Sequence, residues 1–298
     1  MNMNINDFTE KNVSLAPFTS WQIGGPAEYL SKPRNINELK EILIWSKENN
    51  KKIFPLSGGS NVLVSDEGIS GVVLLFKNLS GITSIEEEGK TLHLSALAGT
   101  SKSELLKILL KYNSSAALFL AGIPGDVGGG VVMNAGISEK VSPREFCEVV
   151  SWIKVIDFQG KEKTHCNSDL NWTYRHCLGW EPGVIYEVGF RFNIQDDPEI
   201  LNKVRDANRL RLQKQPLDMP SCGSVFMNPD GHRAAQLIDQ CGLKGLTIGQ
   251  AQVSLKHANF IVNLGGASAK DTMSLIQRVQ FEVKKKFNID LQVECQTL

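Results

Sequence analysis

Apolar residues recur every three to four positions in five stretches of the chain, which is the spacing of an amphipathic α-helix. This pattern predicts helices at residues 36–49, 100–113, Pro198 to Leu212, 232–240 and Ser268 to about Phe287. Three of them begin with a residue pair typical of a capped helix start: Asn35 with Glu38, Ser101 with Glu104, and Ser268 with Asp271.

Short runs rich in β-branched and aromatic residues lie between these helices and predict strands. The runs are 52–56 and 62–76, on either side of the turn SGGSN, then 149–158, 184–192, 258–263 and 291–295. In the last run, LQVEC, apolar residues alternate with Gln292 and Glu294, so the two polar side chains share one face. This mixture of helices and strands predicts an α+β fold.

The chain of 298 residues is too long for one ordinary core. Polar seams lie near residue 80 and at DDPE, residues 196–199. We therefore predict an N-terminal tail of residues 1–12, a two-lobed domain of residues 13–196 and a smaller α+β C-terminal domain of residues 197–298. The two lobes of the larger domain are predicted at about 13–80 and 81–196.

Charge and composition exclude several classes of function. Lys+Arg and Asp+Glu are both 32, so there is no basic excess of the kind expected in a nucleic-acid-binding protein. The polar start MNMNINDFTEKN is unlike a signal peptide, and no run of about 18 apolar residues could span a membrane. The six cysteines form no CxxC pair and have no partners at zinc spacing. We therefore expect a cytoplasmic protein with free thiols, without a metal site, and without nucleic-acid or membrane partners.

Glycine is concentrated in two stretches, PLSGGSN (55–61) and GIPGDVGGGVVMNAG (122–136). Missing Cβ atoms let a ligand approach the backbone, and successive N–H groups in such turns can form an anion nest. Neither stretch is a P-loop or a GxGxxG fingerprint that opens a helix. Each could be a plain turn, but the two together favour a cofactor that carries a pyrophosphate.

The segment SCGSVFMNP (221–229) places Ser224 just before an Asn-Pro stop. A serine there is either a turn residue, whose hydroxyl bonds the local backbone, or a proton donor. The residues around it leave both interpretations open.

The two glycine stretches resemble the FAD-binding domain of the vanillyl-alcohol-oxidase and p-cresol-methylhydroxylase (PCMH) class. Further motifs follow in order: TSWQIGGPA (19–27), YR (174–175), PSCGSVFMNP (220–229), GLKGLTIGQAQVSLKHANFIVN (242–263) and LQVE (291–294). As a set these motifs resemble the UDP-N-acetylenolpyruvoylglucosamine reductase (MurB) family, and the short segment after Tyr174 is similar to its type II branch. The resemblance extends from Val13 to Leu298.

This resemblance implies a non-covalently bound FAD, with NADPH as the reductant. It also implies a UDP-sugar substrate, UDP-N-acetylglucosamine enolpyruvate, which is reduced to UDP-N-acetylmuramate for peptidoglycan synthesis by a protein we expect to be a monomer. The larger domain would bind FAD and the smaller one the substrate. The cofactor-binding residues it implies are Ser57, Gly58, Gly59, Ser60, Asn61, Gly122, Ile123, Pro124, Gly125, Gly128 and Gly129.

The same resemblance implies three catalytic residues. Ser224 would donate the proton to the α-carbon, Arg175 would draw electron density into the substrate carboxylate, and Glu294 would position that carboxylate. By residue type alone, Arg175 and Glu294 could equally be surface side chains. The substrate-binding residues it implies are Tyr174, Lys214, Asn228 and His257.

Some positions depart from the usual family motifs: Gln22 replaces an arginine, Met227 a lysine and Cys177 a serine, and Ile137-Ser138-Glu139 replaces Ala-Tyr-Gly. Two alternatives therefore stay open, another FAD-dependent oxidoreductase of the same cofactor fold and a non-catalytic flavin-binding paralogue. Many oxidases of that class tether FAD through a histidine near the first glycine loop, and PLSGGSNVLV has none.

Overall fold

The structure is a computed structural model that describes residues 9–137 and 141–298. Most of the predicted tail, residues 1–8, and the pair Ser138-Glu139 lie outside the described residues. The helices are α1 (Ile36–Glu48), α2 (Lys102–Lys111), α3 (Ala117–Leu120), α4 (Val127–Val132), α5 (Ile200–Lys214), α6 (Ala234–Gln240) and α7 (Ala269–Phe287). Helices and strands are mixed along the chain, so the predicted α+β class is confirmed.

The strands are short, apart from one of ten residues near the middle of the chain. They are β1 (Thr9–Ser14), β2 (Pro26–Ser31), β3 (Ile53–Leu56), β4 (Val62–Leu63), β5 (Ile69–Leu75), β6 (Ile82–Glu88), β7 (Thr91–Leu97), β8 (Val150–Ile156), β9 (Glu162–Cys166), β10 (Asn171–Thr173), β11 (His176–Leu178), β12 (Val184–Asn193), β13 (Thr247–Ile248), β14 (Ala251–Val253), β15 (Ile261–Asn263) and β16 (Gln296–Thr297). The sheet orders are β1-β2-β5-β3, β6-β7-β12-β8-β9, β10-β11, β13-β14-β15 and β16-β4.

The chain divides into two compact units that do not follow sequence order. The described part of unit 1 is residues 9–11, 29–58, 70–137 and 141–209, and unit 2 is residues 12–28, 59–69 and 210–298. Each unit collects chain segments that are distant in sequence. These compact units are structural, so the division into functional domains at 13–196 and 197–298 is still a prediction.

Unit 1 is built on the antiparallel sheet β6-β7-β12-β8-β9. Its long strand β12 pairs with β7 on one side and β8 on the other, and its apolar residues are buried. Helices α2, α3 and α4 contribute Leu105, Phe119 and Val127 to one hydrophobic core with Phe190 of β12. A second cluster joins α1 to β5 and β12.

Unit 2 is built on the small antiparallel sheet β13-β14-β15 and on α6 and α7. The buried side of α7 follows helical spacing, with Leu275, Ile276, Val279 and Val283 in the core. The carboxylate of Asp66 accepts hydrogen bonds from the N–H groups of Ala269 and Lys270, 2.7 and 2.9 Å away, at the start of this helix. The chain end is held by the parallel pair β16-β4.

The three predicted helix caps are correct, because capping is set by residues that are close in sequence. The side chains of Asn35, Ser101 and Ser268 accept hydrogen bonds from the N–H groups of Glu38, Glu104 and Asp271, respectively. The six cysteines are free thiols, as predicted.

Three local predictions were wrong. The run 62–76 is not one strand, because β4 ends at Leu63 and β5 begins at Ile69. Residues 291–295 are not a strand: one isolated bridge joins Val293 to Phe226, and β16 follows at Gln296–Thr297. The second glycine stretch is not only a loop, because Val127–Val132 forms α4. Its three glycines disfavour a helix intrinsically, so contacts distant in sequence override that preference.

We predict that Ser268→Ala lowers the free energy of unfolding by about 1 kcal/mol, because α7 loses its capping box. Urea unfolding of the purified protein measures this. Ser274→Ala, in the interior of the same helix, is the matched control and should leave stability unchanged or raise it slightly. Equal losses in the two variants would contradict a capping role for Ser268.

Candidate functional site

The first glycine stretch, up to Gly58, meets the second glycine stretch inside unit 1. The Ser57 hydroxyl donates a hydrogen bond to Oδ2 of Asp126 at 3.0 Å. A Cβ atom placed on Gly58 would lie 2.8 Å from the Cα of Gly125, so the two backbones touch where neither residue has a side chain. The structure thus brings together two loops that are separated by more than 60 residues of sequence.

These adjoining loops offer backbone donors. Gly122 and Gly125 have positive φ values of 103° and 83°, a conformation that glycine adopts without strain. Among the described residues, the hydrogen bonds provide no acceptor for the N–H groups of Gly58, Gly125 and Gly129. Unpartnered N–H groups on adjacent turns form a concave site suited to an anion. This chemistry fits the diphosphate of FAD.

Two other glycines of the second stretch, Gly128 and Gly130, have a packing role. Gly128 and Gly130 lie on α4, where a Cβ on Gly128 would be 2.9 Å from the Cβ of Ala98. A Cβ on Gly130 would be 2.7 Å from Cε of Lys102. Gly129 differs, because a Cβ there would make an ordinary 3.4 Å contact with Ser57. The glycines at 128 and 130 therefore let α4 pack closely, and cofactor binding by Gly128 stays a prediction.

A buried cation contacts the same turn. Nζ of Lys102 donates to the carbonyl oxygen of Pro124 at 2.7 Å. In the same turn, the N–H of Ile123 donates to the carbonyl oxygen of Leu120. Burial lowers the pKa of Lys102 to about 8 and raises the pKa of Asp126. Sequence reasoning missed Lys102, since a lysine in the first turn of an amphipathic helix is normally solvated.

Arg175 lies in a tight hairpin turn of unit 1. Thr173 of β10 pairs with His176 of β11, which leaves Tyr174 and Arg175 as the two turn residues. Arg175 has a positive φ of 62°, a left-handed conformation that is costly for a side chain of this kind. Such strained residues concentrate at functional sites, so the backbone supports a role that the sequence motif only suggested.

The guanidinium of Arg175 is mostly enclosed, with 17% of the side chain exposed. It lies 3.7 Å from Oε1 of Glu145, and it donates to the carbonyl oxygen of Gly136 at 3.4 Å. The ring of Tyr174, itself 46% exposed, packs against it with 4.7 Å between the guanidinium carbon and the ring centre. The ion pair, the hydrogen bond and the stacked ring orient the guanidinium of Arg175.

In unit 2, the end of the first glycine loop holds the C-terminal segment. The side-chain amide of Asn61 donates to the backbone carbonyl oxygen of Glu294 at 3.2 Å. The backbone carbonyl of Asn61 accepts from the N–H of Gln296 at 2.9 Å. The carbonyl of Gly59 accepts from the N–H of Ser20 at 2.9 Å, while Ser60 is half-buried. Asn61 is therefore a positioning residue for Glu294 as well as a predicted cofactor ligand.

Ser224 and Glu294 lie on neighbouring segments of unit 2. The N–H of Glu294 donates to the carbonyl oxygen of Val225 at 2.8 Å, and Phe226 bridges to Val293. Both Ser224 and Glu294 are half-buried, as expected for side chains that must contact a ligand. The structure thus brings these two predicted catalytic residues together, whereas Arg175 and Tyr174 belong to unit 1.

Asn259 fixes the segment that carries Ser224. Its side chain accepts from the N–H of Phe226 at 3.0 Å and donates to the carbonyl oxygen of Phe226 at 2.8 Å. The Asn259 carbonyl accepts from the N–H of Val225 at 2.9 Å. Asn259 is 4% exposed, so this clamp is buried. Sequence reasoning missed it, although an asparagine inside the apolar run ANFIV was a visible signal.

The predicted substrate residues of unit 2 occupy three different settings. Lys214 is exposed at the end of α5, and Asn228 is exposed with its Oδ1 accepting from the N–H of Ala234 at 3.0 Å. His257 is half-buried against Phe260, with ring centres 4.7 Å apart, and its Nδ1 accepts from the N–H of Asn259 at 3.3 Å. Burial lowers the pKa of His257, which favours the neutral ring.

Two features are absent from residues 9–137 and 141–298. No helix in those ranges is both long and apolar enough to cross a membrane. Nor do three or more His, Cys, Asp or Glu side chains come together there in a way that could hold a metal ion.

We predict that Asn259→Ala lowers the free energy of unfolding by about 2 to 4 kcal/mol, because it leaves a buried N–H and a buried carbonyl of Phe226 without partners. Chemical denaturation measures this loss. Asn202→Ala, on the exposed side of α5, is the control and should change stability by less than about 0.5 kcal/mol. A loss as small for Asn259 would show that the clamp is unimportant.

Two family models match separate parts of the chain, in order. The FAD binding domain matches residues 27–165, and the C-terminal domain of UDP-N-acetylenolpyruvoylglucosamine reductase matches residues 215–298. This pair of matches confirms the predicted class of fold, an FAD-binding domain of the PCMH type with a separate C-terminal domain.

Whole-chain comparisons give the same family. The chain is 39% identical to UDP-N-acetylenolpyruvoylglucosamine reductase of Lactobacillus gasseri over 97% of this chain and 93% of that protein. It is 39% identical to the reductase of Clostridium botulinum strain 657 over 94% of this chain and 89% of that one. The crystal structure of the reductase (MurB) from Thermus caldophilus superposes with a TM-score of 0.76 at 32% identity, covering 97% of this chain and 99% of that chain.

Proposed function

This chain belongs to the UDP-N-acetylenolpyruvoylglucosamine reductase (MurB) family, and on that premise we propose that Ser224, Arg175 and Glu294 carry its reaction. The protein is an FAD-dependent oxidoreductase that reduces the enolpyruvyl ether of a UDP-sugar in peptidoglycan precursor synthesis. The observation that supports the residue roles most directly is the backbone hydrogen bond from Glu294 to Val225, the residue that follows the motif serine.

The two glycine stretches would hold FAD, which would supply hydride transfer from NADPH to the β-carbon of the enolpyruvyl group. We assign its diphosphate to the N–H groups of Gly58, Gly125 and Gly129, which lack acceptors among the described residues. The other residues that we assign to the cofactor are Ser57, Gly59, Ser60, Asn61, Gly122, Ile123, Pro124 and Gly128.

Arg175 binds the substrate carboxylate in this proposal. A guanidinium offers two parallel N–H donors to a carboxylate and stays charged throughout the reaction. Negative charge that develops on the α-carbon can spread into a carboxylate held in this way, which makes the β-carbon a better hydride acceptor. The left-handed backbone and the Tyr174 ring aim the guanidinium before substrate arrives.

Ser224 supplies the proton to the α-carbon. A serine hydroxyl is a weak acid, so it donates efficiently only to a strong base such as this carbanion-like carbon. Glu294 orients the substrate carboxylate, and Asn259 and Asn61 hold the backbone on which Ser224 and Glu294 lie.

The remaining roles concern the substrate and its surroundings. Lys214 offers a point charge to the UDP diphosphate. Asn228, Tyr174 and His257 offer hydrogen bonds, and His257 does so as a neutral ring because burial lowers its pKa. We further propose that the protein acts as a monomer in the cytoplasm, with a functional boundary near residue 197 between cofactor and substrate domains.

We predict that Ser224→Ala leaves the reduction of bound FAD by NADPH nearly unchanged. Its reoxidation by UDP-N-acetylglucosamine enolpyruvate should slow by about 10²- to 10⁴-fold, because only that step needs the proton. Stopped-flow absorbance of the two half-reactions measures this. Ser221→Ala, in the same segment, is the control and should affect neither step. Equal slowing of both steps in Ser224→Ala would make the serine a structural residue.

We predict that Arg175→Gly changes the free energy of unfolding by less than about 1 kcal/mol, because glycine relieves the left-handed strain while the side-chain contacts are lost. Substrate reduction should fall by at least about 10²-fold. Denaturation and steady-state kinetics give the two numbers. The exposed Arg144, changed to Ala, is the control for removal of an arginine from the same region. Retained activity in Arg175→Gly would exclude the carboxylate-binding role.

A further inference from the structure

Lys102 is a buried cation to which the reaction assigns no task. It is the first residue of α2 and is 4% exposed. Its Nζ donates to the carbonyl oxygen of Pro124 at 2.7 Å, and its N–H donates to the carbonyl oxygen of Gly125 at 3.2 Å. One residue therefore makes two bonds to the turn of residues 122–125.

The side chain of Lys102 is enclosed on its other sides. Nζ lies 5.5 Å from the centre of the Phe146 ring, a cation–π distance. A Cβ on Gly130 would be 2.7 Å from its Cε, so α4 closes over the lysine stem. The same Cβ would also overlap the ring of Phe146, so glycine at position 130 leaves room for both side chains.

Lys102 lies near acidic side chains. Among the described residues, Asp126 is the charged group that acts on it, and Glu104 acts in turn on Asp126. Burial lowers the pKa of Lys102 to about 8 from 10.5, so the charged form destabilises the folded state at neutral pH. That penalty disappears as the pH rises from about 8 to 10.5, where unfolded and folded forms both become neutral.

The carboxylate of Asp126 lies beside the two loops that we assign to the diphosphate. It is the residue that precedes α4, it accepts a hydrogen bond from Ser57, and it lies next to Gly125 in the chain. A carboxylate so close to the donors of Gly58 and Gly125 would repel an anion unless a positive charge compensates it. Lys102 is the cation that the structure provides for this purpose.

We propose that Lys102 is a positioning residue for the FAD diphosphate: its ammonium fixes the Pro124 carbonyl, and with it the 122–125 turn, and offsets the Asp126 carboxylate. This inference rests on the proposed function, because it takes FAD as the ligand of these loops. It adds a residue that the motifs do not contain, and it explains why a buried charge is retained despite its effect on stability.

The direct test is FAD titration of the apoprotein, followed by flavin fluorescence. Lys102→Met removes the charge and nearly conserves the volume, and we expect FAD to bind about ten- to a hundredfold more weakly. The melting temperature of the apo variant at pH 7 should change little, because relief of the buried charge offsets the loss of the bond to Pro124 and of the compensation of Asp126. Lys107→Met, on the exposed side of the same helix, is the matched control and should bind FAD as wild type does.

The outcomes separate this inference from the proposed function. If wild type and Lys107→Met fail to bind FAD, the proposed function itself is wrong. If both bind FAD and Lys102→Met binds it within about twofold of wild type, the role of Lys102 is overturned and the family assignment stands. Weaker binding at an undiminished apo melting temperature supports the role, since a purely structural lysine would lower both.

A measurement on the wild type covers the case in which Lys102→Met does not fold. At about pH 8.5 the buried amine is partly neutral in the apoprotein, and a bound diphosphate should draw a proton onto it. Isothermal titration in two buffers of different ionisation enthalpy should therefore show net proton uptake on FAD binding. Absence of uptake would overturn the proposal.

Discussion

The contact between the backbones of Gly58 and Gly125 is the constraint on which the cofactor loops of unit 1 depend. A single Cβ on Gly58 would lie 2.8 Å from the facing Cα, so any side chain would push the two loops apart. With the loops together, Ser57 reaches Asp126, and the donors of Gly58, Gly125 and Gly129 become neighbours. The glycines therefore act first as a packing requirement, and the anion site is a consequence of that packing.

A second constraint operates in unit 2, where the catalytic candidates lie on irregular backbone. Residues 221–229 and 291–295 form no regular sheet, so their peptide groups need other partners. Asn259 and Asn61 provide them through side-chain amides that imitate a neighbouring strand. Both units thus hold functional loops by buried polar contacts, which fix geometry more tightly than apolar packing alone.

Local features of the fold could be predicted from the sequence, and features that depend on distant residues could not. The caps at Asn35, Ser101 and Ser268 need partners three residues away, and each was predicted correctly. Alternation in LQVEC predicted a strand, but the bonds from Glu294 N–H to Val225 and from Met227 N–H to Gln292 make one isolated bridge instead of a ladder. Helix α4 was missed because its glycines are stabilised by packing on Ala98 and Phe146, not by propensity.

The same distinction applies to the site. Motif residues such as Ser224, Arg175 and Glu294 could be named from sequence because their types and order match a family. Asn259 and Lys102, which hold functional loops, were missed, because their role exists only once Phe226 and Pro124 lie beside them. The left-handed backbone of Arg175 was equally invisible, since nothing local requires an arginine there to adopt it.

The central claim is that these loops hold a flavin that carries electrons from NADPH to an enolpyruvyl UDP-sugar. The most direct measurement is the absorbance spectrum of the purified protein under anaerobic conditions, first with NADPH and then with UDP-N-acetylglucosamine enolpyruvate. The account predicts a flavin band that NADPH bleaches and that this substrate restores. A flavin band restored only by oxygen, or a protein that takes up no FAD, would contradict it.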